Sequence, residues 1–244
     1  MIPSFFRLKQ APETASTNDD VKHAAEAGEA EGLVVQALRQ TAGKGRWGRA
    51  WESPEGNLYA SLLLRPRCPP QEAGFYTFVT ALAVADTVRR FLSETSIELK
   101  WPNDVLVEGK KISGILLEAG PSAENSVEWL VIGVGINIKR HPDEGLFAAT
   151  SLDAEGASRV HAGEALETFL ACFFHWRGVL LAGGFAPLRD AWLAQAKKGA
   201  MTVRLSHETF EGAFAGLDEQ GRLILRLPDG QERAMTVGDV FFAG

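Results

Sequence analysis

Residues 39–59 read RQTAGKGRWGRAWESPEGNLY, and the rest of the sequence is organised around this stretch. It holds four glycines, four cationic residues and two tryptophans between two apolar runs, 33–38 and 58–64, that predict buried strands. Glycine lets backbone N–H groups approach an anion, lysine and arginine supply charge, and tryptophan supplies a flat surface for a ring. The stretch therefore predicts a loop that binds a nucleotide phosphate beside a ring-shaped ligand, with an ordinary solvated loop as the alternative. It is not a P-loop, because glycine follows Lys44 where that motif needs serine or threonine.

The composition is typical of a globular protein, with 244 residues of which 45% are hydrophobic and 23% charged. A net charge of -6 argues against binding to bulk nucleic acid, because a duplex binder usually presents a basic face. Cys68 and Cys172 lack the C-x-x-C spacing, which favours two reduced thiols. No apolar run reaches the length of a membrane span, and the N-terminus lacks a signal-peptide pattern. The sequence predicts a cytoplasmic protein with neither nucleic acid nor a membrane as partner.

Hydrophobic periodicity predicts an α+β fold with one large and one small domain. The predicted helices cover residues 16–27, 71–93, 162–181 and 186–195, and the predicted strands cover 5–8, 32–38, 57–64, 97–101, 105–107, 112–118 and 128–139. After a break at 197–199, further short strands are predicted at 201–205, 211–217, 222–227 and 232–237. This change of pattern predicts a large domain over 1–198 and a small β-barrel, of the size of an SH3 module, over 199–244.

Five short blocks carry a resemblance to a known family. They are STN at 16–18, GKGRWGR at 43–49, KWPND at 100–104, KISGIL at 111–116 and GVGIN at 133–137. In this order and spacing they resemble the biotin protein ligases, in the short form that lacks an N-terminal DNA-binding domain. The resemblance implies a mixed β-sheet catalytic domain of the biotin/lipoate ligase type with flanking helices, followed by an SH3-like β-barrel.

The same resemblance implies an enzyme, a biotin–[acetyl-CoA-carboxylase] ligase, that uses ATP, biotin and Mg²⁺. It implies ATP-dependent activation of biotin to biotinyl-5'-AMP with release of pyrophosphate. Biotin then passes to a lysine of a biotin carboxyl carrier protein or domain. No side chain is assigned to a metal, because Mg²⁺ is expected to bridge the phosphates. Homodimers are common in the family, and no stretch of this sequence requires one.

The resemblance also assigns roles to individual residues. Arg46 is expected to hold the adenylate, Lys111 to bridge carboxylate and phosphate, and Asp104 to orient or deprotonate the incoming amine. The expected biotin contacts are Ser16, Thr17, Asn18, Gln40, Gly43, Arg46, Trp51, Lys111, Gly114 and Ile115. The expected ATP and adenylate contacts are Lys44, Gly45, Arg46, Arg49, Trp51, Asn57, Asn103, Lys111, Ile136 and Asn137.

Two positions depart from the family pattern. Lys44 stands where the family commonly has arginine, so a point charge replaces a forked donor. Ser113 stands where the family usually has glycine or alanine, a change that keeps the strand but narrows the approach to a ligand if the side chain faces it.

Three alternatives remain beside this interpretation. A lipoate or octanoate ligase or transferase belongs to the same superfamily, but its R-x-S-G-G-G-type block with a following histidine is missing from this sequence. A DNA-binding biotin repressor carries an N-terminal helix-turn-helix domain, which does not fit before an STN block at residue 16. A catalytically silent biotin-binding relative is the third, and the presence of Arg46, Asp104 and Lys111 argues against it.

Overall fold

A seven-stranded mixed sheet is the platform of the fold in the computed structural model, which describes residues 1–242. The strands are β1 (Arg7–Thr14), β2 (Leu33–Gln40), β3 (Leu58–Leu64), β4 (Ile97–Lys100), β5 (Asp104–Val107), β6 (Lys110–Ala119), β7 (Ser122–Ala123), β8 (Ser126–Val127), β9 (Leu130–Ile136), β10 (Ala200–Arg204), β11 (Thr209–Leu217), β12 (Leu223–Arg226), β13 (Glu232–Met235) and β14 (Asp239–Phe242). The helices are α1 (Thr17–Glu26), α2 (Pro70–Ala73), α3 (Phe75–Phe91), α4 (Ala162–Gly183) and α5 (Phe185–Ala194).

The large sheet has the strand order β1-β2-β3-β9-β6-β5-β4. Only β1 and β2 pair in parallel, and all the other neighbours are antiparallel. Every residue of β3 and of β9 is buried, as expected for central strands covered on both faces. β9 pairs with both β3 and β6, which brings Tyr59, Gly135 and Gly114 side by side across the middle of the sheet.

Helices cover both faces of this sheet. α3 packs against β4, β5 and β6 and against α4, while α1 packs on the opposite side against β2, β3 and β9. A small second core lies under α1 and includes Val21, Leu63 and Trp129. Ser16 caps α1, because its hydroxyl accepts a hydrogen bond from the backbone N–H of Asp19 at 3.4 Å. The predicted start of α1 at Ser16 is therefore confirmed as a capped helix terminus.

α4 is long and apolar enough to cross a membrane by length and composition alone. This corrects the expectation that no apolar run reaches that length. The helix instead contributes Leu166, Phe169 and Phe173 to the main core and packs on α3, α5 and β3. Only 28% of its most apolar stretch is buried, and Phe174 and Leu181 are exposed, so this packing accounts for part of its apolar character.

The C-terminal strands form an antiparallel sheet with the order β13-β12-β11-β10-β14. This arrangement agrees with the predicted run of short strands, and β14 is an additional strand that periodicity did not indicate. Trp192 of α5 lies 6.4 Å from the ring of Phe214 on β11, and Trp101 Nε1 donates to the carbonyl oxygen of Gly221 at 3.1 Å. Closure into an SH3-like barrel and the boundary at residue 198 stay predictions.

Most element boundaries differ from the predicted ones by a few residues, and three differences are larger. β1 begins at Arg7 and runs to Thr14, well beyond the predicted 5–8, because it pairs along its whole length with β2. The predicted helix 71–93 is divided at Gly74 into α2 and α3. The predicted strand 128–139 shortens to β9, after which the chain turns away from the sheet at Asn137.

We expect Trp192→Ala to lower the free energy of unfolding by about 3–5 kcal/mol, the usual cost of deleting a buried aromatic side chain. Trp192 is 1% exposed and packs edge-on against Phe78 at 5.7 Å. Trp47→Ala is the matched control, because Trp47 is 65% exposed and its removal should cost no more than about 0.5 kcal/mol. Urea unfolding followed by circular dichroism measures both. Equal losses in the two variants would contradict the position assigned to Trp192.

Candidate active site

A cavity of about 360 Å³ opens over the large sheet, and the start of β14 contributes to its wall. All five sequence blocks contribute to its wall, although they lie far apart along the chain. α1 presents its N-terminus, the 44–52 loop covers one side, and β6 and β9 form the floor. The loop 142–149 and the first residues of β14 complete the wall. The fold therefore gathers one concave site from elements that span almost the whole sequence.

Trp51 lies across the floor of the cavity on two glycines of neighbouring strands. A Cβ atom at Gly135 would lie 2.5 Å from Trp51 Nε1, and one at Gly114 would lie 2.9 Å from Trp51 Cζ3. Both separations are shorter than any real carbon contact, so these two positions require glycine for the indole to lie flat. Gly114 and Gly135 are also direct partners across the β6–β9 pairing. Gly114 of the KISGIL block and Gly135 of the GVGIN block are explained by this one packing contact.

Three charged side chains form a buried cluster at one end of the cavity. Lys111 Nζ lies 2.6 Å from Asp104 Oδ1, and Lys100 Nζ lies 3.2 Å from Asp104 Oδ2. Burial alone would raise the pKa of Asp104, but the charges of Lys111 and Lys100 outweigh it and hold that pKa below its usual range. Burial lowers the pKa of Lys100, opposed by the charge of Asp104. The cluster thus brings two amino groups to one carboxylate beside the cavity.

Lys100 is a member of this cluster that sequence reasoning missed. It is only 5% exposed, and its ammonium lies 3.3 Å from the ring centroid of Phe147. Phe147 in turn lies 5.1 Å from Phe241 of β14, so the loop 142–149 and the C-terminal sheet meet over the cluster. The signal in the sequence was a lysine that ends a strand directly before the W-P-N-D turn, four residues from an aspartate.

The cations of the 44–52 loop all have protein partners. Arg46 Nη1 donates to Asn103 Oδ1 at 3.2 Å, and its Nη2 donates to the carbonyl oxygen of Gly238 at 3.2 Å. Arg49 forms an ion pair with Asp239, the first residue of β14. Burial lowers the pKa of the Arg46 guanidinium, which nevertheless stays charged at neutral pH. Asp239, which lines the cavity, and Gly238, which accepts from Arg46, were not predicted from the sequence, where the only signal is a Gly-Asp pair at the start of the last strand.

Lys44, at the other end of the loop, pairs with α1. Its Nζ lies 2.6 Å from Asp19 Oδ2, and the hydrogen bond to Asp19 raises the pKa of Lys44 despite some desolvation. Between Lys44 and Arg49 the loop makes a 3-10 turn over Arg46–Gly48 in which Trp47 takes a φ of 60°. A left-handed conformation is costly for a tryptophan, so this segment holds local strain next to the cationic side chains.

A hydrogen-bonded group of neutral side chains lies at the opposite end of the cavity from the cluster of lysines. The backbone N–H of Thr17 donates to Gln40 Oε1 at 2.8 Å, and Gln40 Nε2 donates to Ser53 Oγ at 2.9 Å. Ser16, Thr17, Asn18 and Gln40 all line the cavity there. These four predicted contacts therefore do lie together on one wall, at the N-terminus of α1.

Three of the residues predicted to contact a ligand do not line the cavity: Gly43, Asn57 and Ile136. Asn57 is buried, and its Oδ1 accepts hydrogen bonds from the backbone N–H groups of residues 138–140. Its amide is therefore used to hold the chain after β9. Ser113 also lies outside the wall, because its hydroxyl donates to the carbonyl oxygen of Gly135 at 2.7 Å. The serine at this position therefore faces the strand β9 rather than a ligand.

Comparison with known proteins places this geometry in a family. Residues 11–137 match the biotin/lipoate A/B protein ligase family, and residues 201–243 match the biotin protein ligase C terminal domain. The biotin–[acetyl-CoA-carboxylase] ligase of Paracoccus denitrificans is 38% identical over 218 residues, which cover 86% of this chain and 90% of the relative. The bifunctional ligase/repressor of Bacillus subtilis is 35% identical over 82% of this chain, and the match spans 63% of that protein's length.

A solved structure agrees with these sequence matches. The biotin protein ligase from Aquifex aeolicus, in complex with biotin and ATP, superposes with a TM-score of 0.81 at 25% sequence identity, covering 97% of this chain and 99% of the other. The similarity thus extends over the large sheet, the helices and the C-terminal strands alike. This chain belongs to the biotin/lipoate A/B protein ligase family.

Proposed function

We propose that this chain is a biotin protein ligase that activates biotin with ATP and passes it to a lysine of an acceptor protein. The observation that carries the proposal is the cluster of Asp104 between Lys100 and Lys111, which faces a cavity also lined by Arg46 and Arg49. Such a site combines fixed positive charge for anionic reactants with a carboxylate for an incoming amine. The relatives' names and the biotin- and ATP-bound structure support the same activity.

In the first step a carboxylate oxygen of biotin attacks the α-phosphorus of ATP. A new oxygen–phosphorus bond forms, the bond between the α-phosphorus and the bridging oxygen breaks, and pyrophosphate leaves with the electron pair. Negative charge builds on the phosphoryl oxygens, and charged donors fixed in a desolvated site stabilise it. In the proposal Lys111 bridges carboxylate and phosphate, Arg46 holds the α-phosphate, and Arg49 and Lys44 contact the leaving pyrophosphate.

Phosphate oxygens of ATP can replace the protein groups that now pair with the cations of the 44–52 loop. Arg46 donates to a backbone carbonyl and a neutral amide, while Arg49 and Lys44 pair with single carboxylates at partly exposed positions. Exposed ion pairs of this kind contribute about 0–1 kcal/mol each, so little is lost when they open. Phosphate oxygens offer bidentate, charge-assisted contacts in return. Binding of ATP would then draw the loop over the reactants and shield the anhydride from water.

Mg²⁺ belongs to the proposal as a companion of ATP. Among residues 1–242 the structure has no group of three or more His, Cys, Asp or Glu side chains arranged to hold a metal. Mg²⁺ commonly takes one or two carboxylates together with substrate phosphates, so this donor set fits an ion carried on the nucleotide. Asp239, the carboxylate beside Arg49, would hold it, and the ion would neutralise charge on the phosphates.

In the second step the ε-amine of the acceptor lysine attacks the carbonyl carbon of biotinyl-5'-AMP. The carbon–nitrogen bond forms, the carbon–oxygen bond to AMP breaks, and the amine loses a proton to solvent as AMP leaves. The charges of Lys100 and Lys111 disfavour an ammonium in this space and so favour the reactive neutral amine. Asp104, whose pKa is held low, is a weak base and is better suited to orient the amine by accepting its N–H.

The acceptor in this proposal is a biotin carboxyl carrier protein or domain, as the names of the ligase relatives suggest, and the location is the cytoplasm. The family also handles lipoate, which makes a lipoate or octanoate ligase the second candidate. The neutral polar wall of Ser16, Thr17, Asn18 and Gln40 favours biotin, because it suits a ureido head, whereas lipoate and octanoate offer no amide-like group there. Homodimer formation stays a prediction.

Pyrophosphate release from ATP and Mg²⁺ separates these candidates. We expect release that depends on biotin and stays at background with lipoate or octanoate. Release with lipoate or octanoate in place of biotin would assign the chain to the second candidate. Absence of release with all three, in a protein that still binds biotin by calorimetry, would make it a catalytically silent relative.

Arg46→Ala should slow pyrophosphate release by about 10²–10³-fold, the usual loss when one fixed donor to a developing oxyanion is removed. Lys110→Ala is the control, because Lys110 is an exposed cation on the same molecule whose ammonium pairs with Glu155 outside the cavity. The measurement is the initial rate of pyrophosphate release at saturating biotin and ATP. Similar losses in both variants would remove Arg46 from the adenylation step.

Asp104→Asn should slow transfer from preformed biotinyl-5'-AMP to a carrier domain by at least about tenfold, since the neutral amide orients an amine less strongly than a carboxylate does. Glu155→Gln serves as the matched control for loss of a carboxylate paired with a lysine. A single-turnover assay started from purified adenylate isolates this step from adenylation. Transfer at the normal rate in Asp104→Asn would exclude Asp104 from the mechanism.

A further inference from the structure

A continuous chain of short hydrogen bonds runs behind the neutral wall of the cavity. Asn18 Nδ2 donates to Glu118 Oε2 at 2.7 Å, and Ser61 Oγ donates to Asn18 Oδ1 at 2.6 Å. Ser61 Oγ also lies 2.7 Å from Thr17 Oγ1. The chain thus links β6, α1 and β3, and it ends on a hydroxyl that lines the cavity. Glu118 and Ser61 do not line it themselves.

The carboxylate at the start of this chain fixes the orientation of the amide beside it. An ionised carboxylate can only accept hydrogen bonds, so Asn18 must turn its Nδ2 toward Glu118 and its Oδ1 toward Ser61. The position of the Asn18 side chain is also restricted, because a Cβ atom at Gly133 would lie 2.2 Å from Asn18 Oδ1. Asn18 therefore lies directly on the backbone of β9. Its amide can turn over about the Cβ–Cγ bond, but the side chain has little room to move elsewhere.

This orientation determines the direction of the next two hydrogen bonds. A serine hydroxyl has one proton, and Ser61 gives it to Asn18 Oδ1. The short contact between Ser61 and Thr17 then requires the Thr17 proton. Gln40 Oε1, at 3.0 Å, is the other acceptor within reach of Thr17 Oγ1. With either acceptor the proton is used inside the protein, and the hydroxyl offers a ligand only a lone pair.

The neighbouring amide has the opposite character. Gln40 Oε1 accepts the backbone N–H of Thr17, so its Nε2 is the donor side. One Nε2 proton goes to Ser53, whose own proton goes to the carbonyl oxygen of Trp51. A second Nε2 proton remains for a ligand. The wall therefore presents an acceptor at Thr17 and a donor at Gln40, which is the complement of an N–H next to a C=O.

We propose that Glu118 is a positioning residue that sets the hydrogen-bonding polarity of Thr17, so that the site selects a ligand head with an N–H at this point. The inference rests on the proposed function, in which that head is the ureido ring of biotin. Without the carboxylate, Asn18 can turn its amide over and Ser61 can donate to Thr17, so that only the longer contact to Gln40 Oε1, at 3.0 Å, still holds the Thr17 proton and a ligand oxygen can compete for it. The site then accepts an oxygen where it previously required an N–H.

The test uses biotin and the two cyclic carbamate analogues in which one or the other ureido N–H is replaced by oxygen. Initial rates of pyrophosphate release give KM and kcat for each ligand. The normal chain should prefer biotin over one of the two carbamates by about tenfold or more in kcat/KM, because that carbamate places two acceptors together. Glu118→Gln should reduce this preference to about two- to threefold, raise KM for biotin and leave kcat within about twofold.

Two further variants make the result specific. Ser61→Ala breaks the chain without changing any charge, so it leaves the ion pair of Lys44 with Asp19 intact. It should nevertheless lower the same preference. Glu31→Gln is the control, because Glu31 is also half-buried but accepts from Arg65 and Arg177 away from the cavity. It should leave the preference unchanged.

Three results would overturn the inference. An undiminished preference in both Glu118→Gln and Ser61→Ala would show that Thr17 keeps its polarity without the chain. A loss of kcat at unchanged KM and preference would assign Glu118 a general structural role. Absence of biotin-dependent release by the normal chain would remove the proposed function and this inference with it, whereas normal release with an undiminished preference removes the inference alone.

Discussion

A buried carboxylate between two ammonium groups is the interaction on which the site depends. Asp104 is only 5% exposed, so its charge must be compensated within the protein, and Lys100 and Lys111 do this from the strands on either side. The pairing register fixes the geometry, because Lys100 faces Asp104 across β4 and β5, and Asp104 faces Gly114 across β5 and β6. The three neighbouring strands β6, β5 and β4 are thereby held together around one charge. Removal of either lysine would leave the buried charge of Asp104 only partly compensated. The same two ion pairs therefore stabilise these strands and shape the charge of the cavity.

The centre of the same sheet is organised by a steric constraint instead. Trp51 lies on the backbone of Gly114 and Gly135, and Asn18 lies on the backbone of Gly133. Each glycine is in a strand, where it weakens the local structure, and each is explained by a side chain that needs the space of the missing Cβ. The sheet thus provides a flat floor on which an indole and an amide are fixed in position. A ligand in this cavity meets surfaces whose orientation is set before it binds.

Sequence reasoning found the parts of the site that are local and missed those that depend on distant contacts. Periodicity and capping predicted α1 and the strands around the cationic loop, and the five blocks contain most of the residues that line the cavity. Asp239 was missed because it meets Arg49 from 190 positions away in the sequence. Asn57, which does not line the cavity, stays a predicted contact, and its side-chain oxygen accepts hydrogen bonds from the backbone of 138–140. No periodicity reports contacts of either kind, because they depend on how separate elements dock.

The two ends of the cavity select a ligand by different interactions, charge at one end and neutral hydrogen bonds at the other. Together they restrict the ligand more than either end does alone. At one end Arg46 and Arg49 already have partners, so a ligand must outcompete Asp239 and the carbonyl oxygen of Gly238. A lone carboxylate only replaces one such partner by another, whereas a polyphosphate offers several charged oxygens at once. At the other end the wall is neutral, and a mismatch costs an unpaired polar group rather than a charge. A small acid alone gains little at the first end, and a nucleotide alone leaves the second end unmatched. The cavity is therefore suited to a reaction that joins the two, because only the pair of reactants satisfies both ends.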